Sequence, residues 1–403
     1  MGLRSPVRSI AVVRRLFLLV SAVVFVDTAF YAAISPLLPH YQAELGLSKT
    51  AAGVLTASYA AGTLTGSLPA GWLAGRVGVK PTLLAGLALM SATSVVFGLA
   101  HNVLALDGAR FVQGVGGACS WAAGMAWLVG AAPGERRGEL IGSALAAAIV
   151  GVMFGPVVGG AATVIGPKPV FGAIAAVGVA LAAWASTTPG VEPGETAGPA
   201  AAMRGLRQRP LAAGFWLFLL PALFAGVVEV LAPLRLHALG AGGVAVGAAF
   251  LVAALAEALV SPLAGRLSDR RGRVIPIRFG LVGAAAIAVV LPLPGTALLS
   301  AAALVAAVAS LGMLWAPAMA LISEGSERAG LAQGLAFALS NLAWSGGHLA
   351  GGAAGGALAE ATADAVPYGI LAMTCALSLA LVAQPSLLAA RPQAPQGSTP
   401  SLR

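Results

Sequence analysis

Long apolar runs separated by short polar connections make up almost the whole chain. A helix that crosses a bilayer needs about 20 apolar residues, and twelve runs are of roughly that length or longer. They lie at 15–38, 50–72, 81–100, 105–131, 140–163, 169–187, 211–235, 244–265, 274–293, 297–322, 329–356 and 366–389. The runs lack the period-two alternation of transmembrane β-strands. The pattern therefore predicts an all-α membrane protein with twelve transmembrane helices.

A short glycine-rich, basic stretch occurs twice, each time between two apolar runs. Its first copy holds Gly71, Leu73, Arg76 and Gly78, which return 194 residues later as Gly265, Leu267, Arg270 and Gly272. Pro39 returns as Pro233 at the same offset. A fixed offset across half the chain indicates an internal duplication, and two such membrane-spanning copies are typical of a transporter built from two similar halves.

The duplication and the polar segments predict the domain organisation. We expect an N-terminal six-helix bundle at 1–187 and a C-terminal six-helix bundle at 211–390. The proline- and glycine-rich segment 188–210 is predicted to be a cytoplasmic linker. The polar segment 391–403 is predicted to be a disordered cytoplasmic tail.

Composition and charge agree with a membrane protein and predict its orientation. Hydrophobic residues make up 59% of the chain and charged residues 9%, whereas soluble domains are about a quarter charged. With a cytoplasmic N-terminus, 19 of the 23 Lys and Arg residues fall on the cytoplasmic side. The positive-inside rule therefore predicts a multi-pass protein of the cell membrane with both termini in the cytoplasm. The first apolar run is longer than a signal-peptide core and carries Asp27, so we interpret it as an uncleaved helix.

Three carboxylates lie well inside predicted spans, away from the span ends. A charge at the bilayer centre costs about 2.5–3.5 kcal/mol on insertion scales, so such residues are functional candidates by default. Asp27 lies near mid-depth of the first span, Glu229 lies in the outer half of the seventh, and Glu257 lies near mid-depth of the eighth. The alternative for each is a structural carboxylate that packs against a polar neighbour.

One arginine and one histidine also lie deep in spans. Arg110, in the fourth span, is a candidate for proton coupling, and its alternative is a pair with Asp107 one turn away on the same helix face. His348, in the eleventh span, is a candidate proton carrier; its alternative is a neutral, hydrogen-bonded side chain.

The fifth span carries a stripe of small residues that favours close helix packing. Its members are Gly151, Gly155, Pro156, Gly159 and Gly160. A dimerisation stripe is the alternative for a lone GxxxG pattern, although the full string is more specific.

Together, these strings resemble the major facilitator superfamily, and within it the twelve-helix drug:proton antiporters. The 71–80 stretch resembles the superfamily's signature between the second and third helices, 110–114 a fourth-helix motif tied to proton coupling, and 151–160 the antiporter motif. The nearest resemblance is to the vesicular amine transporter branch. Its first helix has an Asp followed by Pro, Pro and Tyr, as at Asp27, Pro36, Pro39 and Tyr41, and its seventh has a Glu-x-x-x-Pro, as at Glu229–Pro233.

The resemblance implies two pseudo-symmetric six-helix bundles, the major facilitator fold. Together with the ionisable residues inside the spans, it predicts roles for individual residues. Proton coupling would involve Asp27, Glu229, Arg110, Glu257 and His348. Substrate would contact Asp27, Tyr31, Glu229, Asn341 and Trp344. A conformational gate would comprise Gly71, Arg76, Gly78, Lys80, Asp269, Arg270 and Gly272.

Two positions depart from the family pattern. Gly75 stands where the loop signature has an Asp, which the second copy keeps as Asp269. Asn341 stands where the vesicular branch has a proton-coupling Asp, and an amide cannot titrate. The number of protons moved in a cycle is therefore left open.

The expected function is export of small lipophilic, cationic organic molecules in exchange for protons by alternating access. Candidate apolar walls of the central cavity are Trp121, Trp127, Trp315 and Trp344, and the alternative for each is a side chain that faces lipid or core. The alternatives are a proton symporter or facilitator that imports a nutrient, and a non-transporting receptor of the same fold. The chain lacks a nucleophile with its base, so we expect no enzyme activity, and it lacks a phosphate-binding G-x-x-x-x-G-K-[ST] string. Cys119 and Cys375 lie in apolar runs and predict neither a disulfide framework nor a metal site. The expected partners are the substrate, protons and the lipid bilayer, without nucleic acid or cofactor, and we expect a monomer.

Overall fold

The computed structural model of the protein describes residues 10–131, 137–190, 208–329 and 333–382. These residues form thirteen α-helices. In chain order they are α1 Ile10–Ala32, α2 Ile34–Leu45, α3 Lys49–Arg76, α4 Val79–Leu99, α5 Val103–Ala131, α6 Arg137–Ile165, α7 Pro167–Ser186, α8 Arg209–Ala238, α9 Gly243–Arg271, α10 Val274–Val290, α11 Ala297–Arg328, α12 Gln333–Ala361 and α13 Ala365–Val382.

The first predicted span is one apolar stretch divided into α1 and α2 at Ala33. Pro36 lacks the N–H that would bond the carbonyl of Ala32, so the helical ladder is interrupted there. The Ala33 amide instead bonds the carbonyl of Phe30 at 3.3 Å. The division places a turn at Ala33, two residues after Tyr31.

Each of the twelve predicted spans corresponds to a helix in the structure. Parts of the last two spans, 330–332 and 383–389, lie outside the described residues. Eight of the helical segments are long and apolar enough to cross a membrane by length and composition alone. The other four are α3, α5, α10 and α12. Of these, α10 is a short helix of 17 residues, whereas α3, α5 and α12 are long but rich in glycine and polar residues.

The duplication seen in the sequence is also a duplication of helices. The helices α3 and α9 begin at Lys49 and Gly243, and α5 and α11 begin at Val103 and Ala297, in each case 194 residues apart. Gly78 and Gly272 occupy the same place in the two copies and have φ of 111° and 84° with ψ near 155°. Side chains with a Cβ avoid that backbone region, which explains why both copies keep glycine.

The two ends of the helix bundle differ in how the halves meet. We name them the Lys49 end, where α3 begins, and the Arg76 end, where α3 finishes. A Cβ built on Gly53, near the Lys49 end, would collide with the carbonyl of Gly352 on α12 of the other half. Gly71 lies about five turns further along the same face of α3, and no atom lies within 4 Å of a Cβ built there.

The repeat-related helix α9 shows the same contrast. A Cβ on Gly247 would lie 2.8 Å from the carbonyl oxygen of Pro156 on α6 of the other half. Gly265, again about five turns along, would meet only Ala316 of its own half, at 3.7 Å. Trp72, beside Gly71, is 59% exposed. On both of these helices the halves are therefore in contact at the Lys49 end and apart at the Arg76 end.

Polar contacts also join the halves at the Lys49 end. Lys49 of α3 forms an ion pair with Asp364, which follows α12. The Thr50 amide, in the first turn of α3, donates a 2.7 Å hydrogen bond to Glu360 of α12. A carboxylate of one half therefore caps a helix of the other half.

Candidate functional site

A polar cluster bridges the two halves. The Tyr31 hydroxyl of α1 lies 3.0 and 3.1 Å from the two carboxylate oxygens of Glu229 on α8. It also lies 2.9 Å from Nε2 of His348 on α12, and that nitrogen is 3.1 Å from Glu229 Oε2. Three predicted site residues from three helices are thus within hydrogen-bond reach of one another.

Close helix packing in the second half brings Glu229 to His348. A Cβ on Gly226 of α8 would lie 2.6 Å from the backbone oxygen of His348, so only a glycine allows the two helices to approach this closely. Glu229 follows Gly226 by three residues and shares its helix face. The Glu229 side chain keeps 20% of its surface exposed, whereas that of His348 is fully buried. Glu229 is therefore the more accessible of the two.

Aromatic rings surround the cluster. The Trp344 indole stacks on His348 with centroids 5.0 Å apart and an angle of 16°. The Tyr31 ring lies 5.3 Å from Trp344 and 4.9 Å from Tyr59 of α3. Ring faces beside a carboxylate suit a cationic group, because both attract positive charge.

Arg110 lies behind the cluster within the first half. Its side chain is 1% exposed and donates to the Tyr31 carbonyl at 3.1 Å and to Gln113 Oε1 at 3.0 Å. The Tyr31 carbonyl lies close to the α1–α2 break, so the guanidinium anchors the backbone there. The predicted alternative, a pair with Asp107, is absent among the described contacts, and Asp107 Oδ1 has no hydrogen-bond partner there.

Asp27 is enclosed in the first half and does not face the cleft between the halves. It is fully buried, and Oδ2 accepts hydrogen bonds from the Tyr59 hydroxyl at 3.0 Å and from Trp121 Nε1 at 3.1 Å. Oδ1 has no partner among the described residues. A Cβ on Gly117 of α5 would stand 3.0 Å from that oxygen, so the small residue makes room for the carboxylate.

The glycine stripe of α6 packs inside the molecule. Cβ atoms built on Gly151, Gly155 and Gly159 would collide with α1 and with Ala33 at the α1–α2 break, on the side of Thr28 and Ala32. Gly160 and Pro156 lie instead toward α9 of the other half. The stripe therefore supports the helix that carries Asp27 and Tyr31.

Glu257 and Asn341 lie apart from these contacts. Glu257 of α9 accepts a short hydrogen bond from Trp315 Nε1 of α11, within the second half. Asn341 is half-buried on α12, about two turns before His348. No hydrogen bond joins the Asn341 side chain to another described residue.

The predicted gate residues lie at the Arg76 end. Arg76 stacks over the Trp72 ring at 5.2 Å, and Lys80 donates to the Ser186 carbonyl at 2.6 Å. In the second copy Asp269 and Arg270 are exposed. Arg273, which follows Gly272, pairs with Glu324 of α11. These groups stabilise the loop of each half separately.

Sequence reasoning missed Tyr59 as a site residue and placed Trp121 only as a candidate apolar wall, together with Trp127, Trp315 and Trp344. Trp127 lies away from the cluster, where it donates to the Pro189 carbonyl at 3.2 Å. The sequence does relate Trp121 to Trp315, because the two are 194 residues apart, which is the offset of the duplication.

The described part of the chain offers no evident binding site for a metal ion. The described residues contain no group of three or more His, Cys, Asp or Glu side chains that could hold an ion.

Comparison with known proteins gives relatives in membrane transport. The chain is 32% identical over 169 residues to a probable vesicular acetylcholine transporter of Danio rerio, covering 40% of this chain and 34% of that protein. It is 28% identical over 130 residues to the synaptic vesicular amine transporter of Mus musculus, covering 32% and 25%. It is 25% identical over 153 residues to multidrug resistance protein 2 of Bacillus subtilis, covering 38% of each. The matched segments thus span about a quarter to two fifths of these relatives.

The fold is shared with solved transporter structures. A D-xylose-proton symporter superposes with a TM-score of 0.71 at 16% identity, covering 91% of this chain and 97% of that one. A nucleoside transporter superposes with a TM-score of 0.73 at 12% identity, covering 93% and 100%. The sequence profile of the Major Facilitator Superfamily matches residues 20–348. This match, which covers more than half of the chain, shows that the chain belongs to the Major Facilitator Superfamily of membrane transporters, in agreement with its two similar helical halves.

Proposed function

We propose that the protein exports small lipophilic, cationic organic molecules across the cell membrane in exchange for protons. It works as a monomer by alternating access of its two halves, with both termini in the cytoplasm. On that orientation the Arg76 end faces the cytoplasm, and the state described here is open inward. No cofactor takes part.

The observation that carries the proposal is the hydrogen-bonded contact of Tyr31 with Glu229 and His348. The first half contributes the hydroxyl, and the second half contributes a carboxylate and an imidazole. A change in the charge of Glu229 or His348 therefore alters a contact that the halves must break or remake when they rock. Protonation and conformation are coupled at that point.

The charges of the site favour a cation. Asp27 and Glu229 carry two negative charges when ionised, and Arg110 supplies one positive charge nearby. Glu229, with ring faces of Tyr31 and Trp344 close by, binds either a proton or an organic cation. Competition between the two is the basis of exchange.

The roles of the residues follow from their positions. Glu229 is partly exposed and binds substrate or a proton directly, together with Tyr31 and Trp344. Asp27 is enclosed, so it exchanges protons only when the Tyr59 and Trp121 contacts open. Arg110 holds the Tyr31 turn and balances charge, while Asn341 contributes polarity without a proton.

The available driving force is sufficient. Moving one charge across 100 mV is worth about 2.3 kcal/mol, or roughly a fiftyfold concentration ratio, before any pH difference is added. One proton exchanged for a neutral substrate moves one charge and gains this energy. One proton exchanged for a monovalent cation moves no net charge, so that exchange is driven by the pH difference, at about 1.4 kcal/mol or tenfold per pH unit.

The test uses inside-out membrane vesicles with an imposed proton gradient and a fluorescent lipophilic cation. We expect uptake of the cation into the vesicles, with release of luminal protons. Glu229→Gln should lower both, because it removes the accessible charge while keeping the hydrogen bonds from Tyr31. Uptake that is indifferent to the proton gradient would contradict the proposal.

Import by proton symport is the competing function within the same fold, since a proton symporter shares it. The same vesicles decide between the two. Symport predicts that an outward-directed proton gradient drives substrate out together with protons, whereas antiport predicts opposite directions for substrate and proton.

A further inference from the structure

A second carboxylate site lies in the C-terminal half, apart from the bridging cluster. Trp121 and Trp315 occupy equivalent positions of the two copies, 194 residues apart. Each donates its indole N–H to a carboxylate, Trp121 to Asp27 and Trp315 to Glu257. The tryptophan is therefore repeated in the duplication together with its function as a hydrogen-bond donor.

The carboxylates themselves are not repeats of each other. At the offset of 194, Asp27 corresponds to Pro221 and Glu257 corresponds to Thr63. The first half supplies its acid from α1, whereas the second half supplies it from α9. Two different helices thus bring an acid to the same tryptophan position, which is unexpected if the pair only fills space.

The two pairs also differ in access. Asp27 is fully buried, whereas Glu257 is only partly buried. Trp315 holds Glu257 Oε1, and no described residue forms a hydrogen bond with Oε2. That oxygen is free to accept a ligand.

The surroundings of Glu257 suit the charged group of an organic cation. Phe218 of α8 packs edge-on against Trp315 with centroids 4.9 Å apart. Gly312 of α11 gives the Glu257 side chain room, since a Cβ there would lie 3.1 Å from its Cγ. Glu229 of α8 is the other carboxylate within the spans of the second half, and each of the two attracts a cation when it is ionised.

We propose that Glu257, Trp315 and Phe218 form a second cation site, which binds the positively charged group of an organic substrate in exchange for a proton on Glu257. The exchange is balanced: one proton leaves the carboxyl group and one unit of positive charge takes its place. The site deepens the proposed export function and rests on it, because it adds a position for the same class of substrate.

The test measures binding of tetraphenylphosphonium to the purified full-length protein in lipid nanodiscs, in weakly buffered solution so that released protons are counted. This probe carries a fixed charge and no exchangeable proton, so the protons come from the protein. Glu257→Gln keeps the shape of the side chain and its acceptor for Trp315. We expect it to bind the probe roughly tenfold or more weakly and to release fewer protons, because a charged partner is lost.

A matched control removes one carboxylate elsewhere. The Glu44 side chain is 59% exposed and lies near His40 on α2, so Glu44→Gln should bind and release protons like the parent protein. Trp315→Phe is a second variant, which removes the indole donor and retains the carboxylate. It should change the pH dependence of probe binding, a readout that a purely structural role would leave unaltered.

The outcomes separate this inference from the proposed function. If Glu257→Gln and Trp315→Phe match the parent while Glu229→Gln loses affinity, the second site is wrong and the export proposal stands. If the parent fails to bind the probe, or if neither Glu229→Gln nor Glu257→Gln changes its binding, the acidic cation site itself is contradicted.

Discussion

The helices α3 and α9 carry repeat-related glycines at both the Lys49 end and the Arg76 end, yet these glycines approach the other half at the first end only. Gly53 and Gly247 are separated by the duplication offset, and both approach the backbone of the other half closely. Gly71 and Gly265 are separated by the same offset, and neither meets the other half within 4 Å. The two halves are therefore in contact with each other at the Lys49 end and separated at the Arg76 end.

On the proposed alternating-access cycle, the comparison predicts where the two conformations differ. A glycine that contacts the opposite backbone is required in the state in which its end is closed. A glycine on the same face with free space around it is required only in the other state, in which its own end closes. Substituting a larger residue for a glycine at the closed end should therefore lower the population of the present state. The same substitution at the open end should lower the population of the other state.

The largest effect is expected from enlarging a glycine at the closed end. Gly53→Leu places a side chain against the carbonyl of Gly352 and should disfavour the present state by about 3 kcal/mol, or roughly a hundredfold in population. Gly71→Leu should leave this state intact and hinder closure of the Arg76 end. Gly247→Leu and Gly265→Leu change the equivalent positions of the second copy, so they should act like Gly53→Leu and Gly71→Leu, respectively.

Distances between spin labels measure these populations. One pair, at positions 44 and 362, spans the halves at the Lys49 end, and another, at 77 and 271, spans them at the Arg76 end, with Cys119 and Cys375 replaced by Ala. Gly53→Leu should lengthen the first distance and shorten the second. The same response from Gly53→Leu and Gly71→Leu would mean that the contrast between the ends has no mechanistic role.

A smaller effect is expected at the turns of the Arg76 end. Gly78→Ala and Gly272→Ala force a Cβ into a backbone region that costs of order 1–3 kcal/mol. Both should lower the melting temperature in detergent by similar amounts, because φ is positive in both copies. Gly108→Ala, a helical position with open space, should be neutral or slightly stabilising. Equal melting temperatures for all three variants would contradict this account of the loop.

The ion pair of the closed end should contribute less. The Lys49 and Asp364 side chains keep 35% and 27% of their surface exposed, so the pair is worth up to about 1 kcal/mol. Lys49→Gln should shift the label distances toward opening at the Lys49 end by several-fold in population. Exchange of the two charges, as Lys49→Asp with Asp364→Lys, should restore the parent distribution, and its failure to do so would assign the effect to packing.

The smallest effect is expected from restoring the missing carboxylate of the first loop. Gly75→Asp adds a negative charge to the last turn of α3, where it can face the N-terminal end of a helix of the other half once the Arg76 end closes. Such an interaction is worth about 0.3–1 kcal/mol. The variant should modestly favour closure of that end, and unchanged label distances together with an unchanged transport rate would remove the hypothesis.

Much of the site could be predicted from the sequence because ionisable residues are rare in apolar runs. Asp27, Glu229, Arg110 and His348 stand out on that ground alone, and the structure brings Glu229 and His348 into contact. Tyr59 and Trp121 carry no such signal, since an aromatic residue is ordinary in a membrane helix. Their importance depends on the packing of α3 and α5 around α1.

The conformational state was beyond the reach of sequence reasoning. Gly53 and Gly71 are two of 53 glycines, and nothing in the pattern says which contacts the other half. The break at Ala33 was also missed, although Pro36 and Pro39 were noted. A proline inside an apolar run marks a weak point of a helix, but tertiary contacts decide whether the helix kinks or divides.

The most direct test of the central claim is efflux of a lipophilic cation from vesicles reconstituted with the parent protein or with Asp27→Asn, at several pH values on the side of the Lys49 end. Asp27→Asn keeps a hydrogen-bond acceptor for Tyr59 and Trp121 but cannot carry a proton. We predict that it abolishes efflux against a gradient while exchange of the cation down its gradient survives. An Asp27→Asn protein that still concentrates the cation with the parent's pH dependence would show that the coupling proton travels elsewhere.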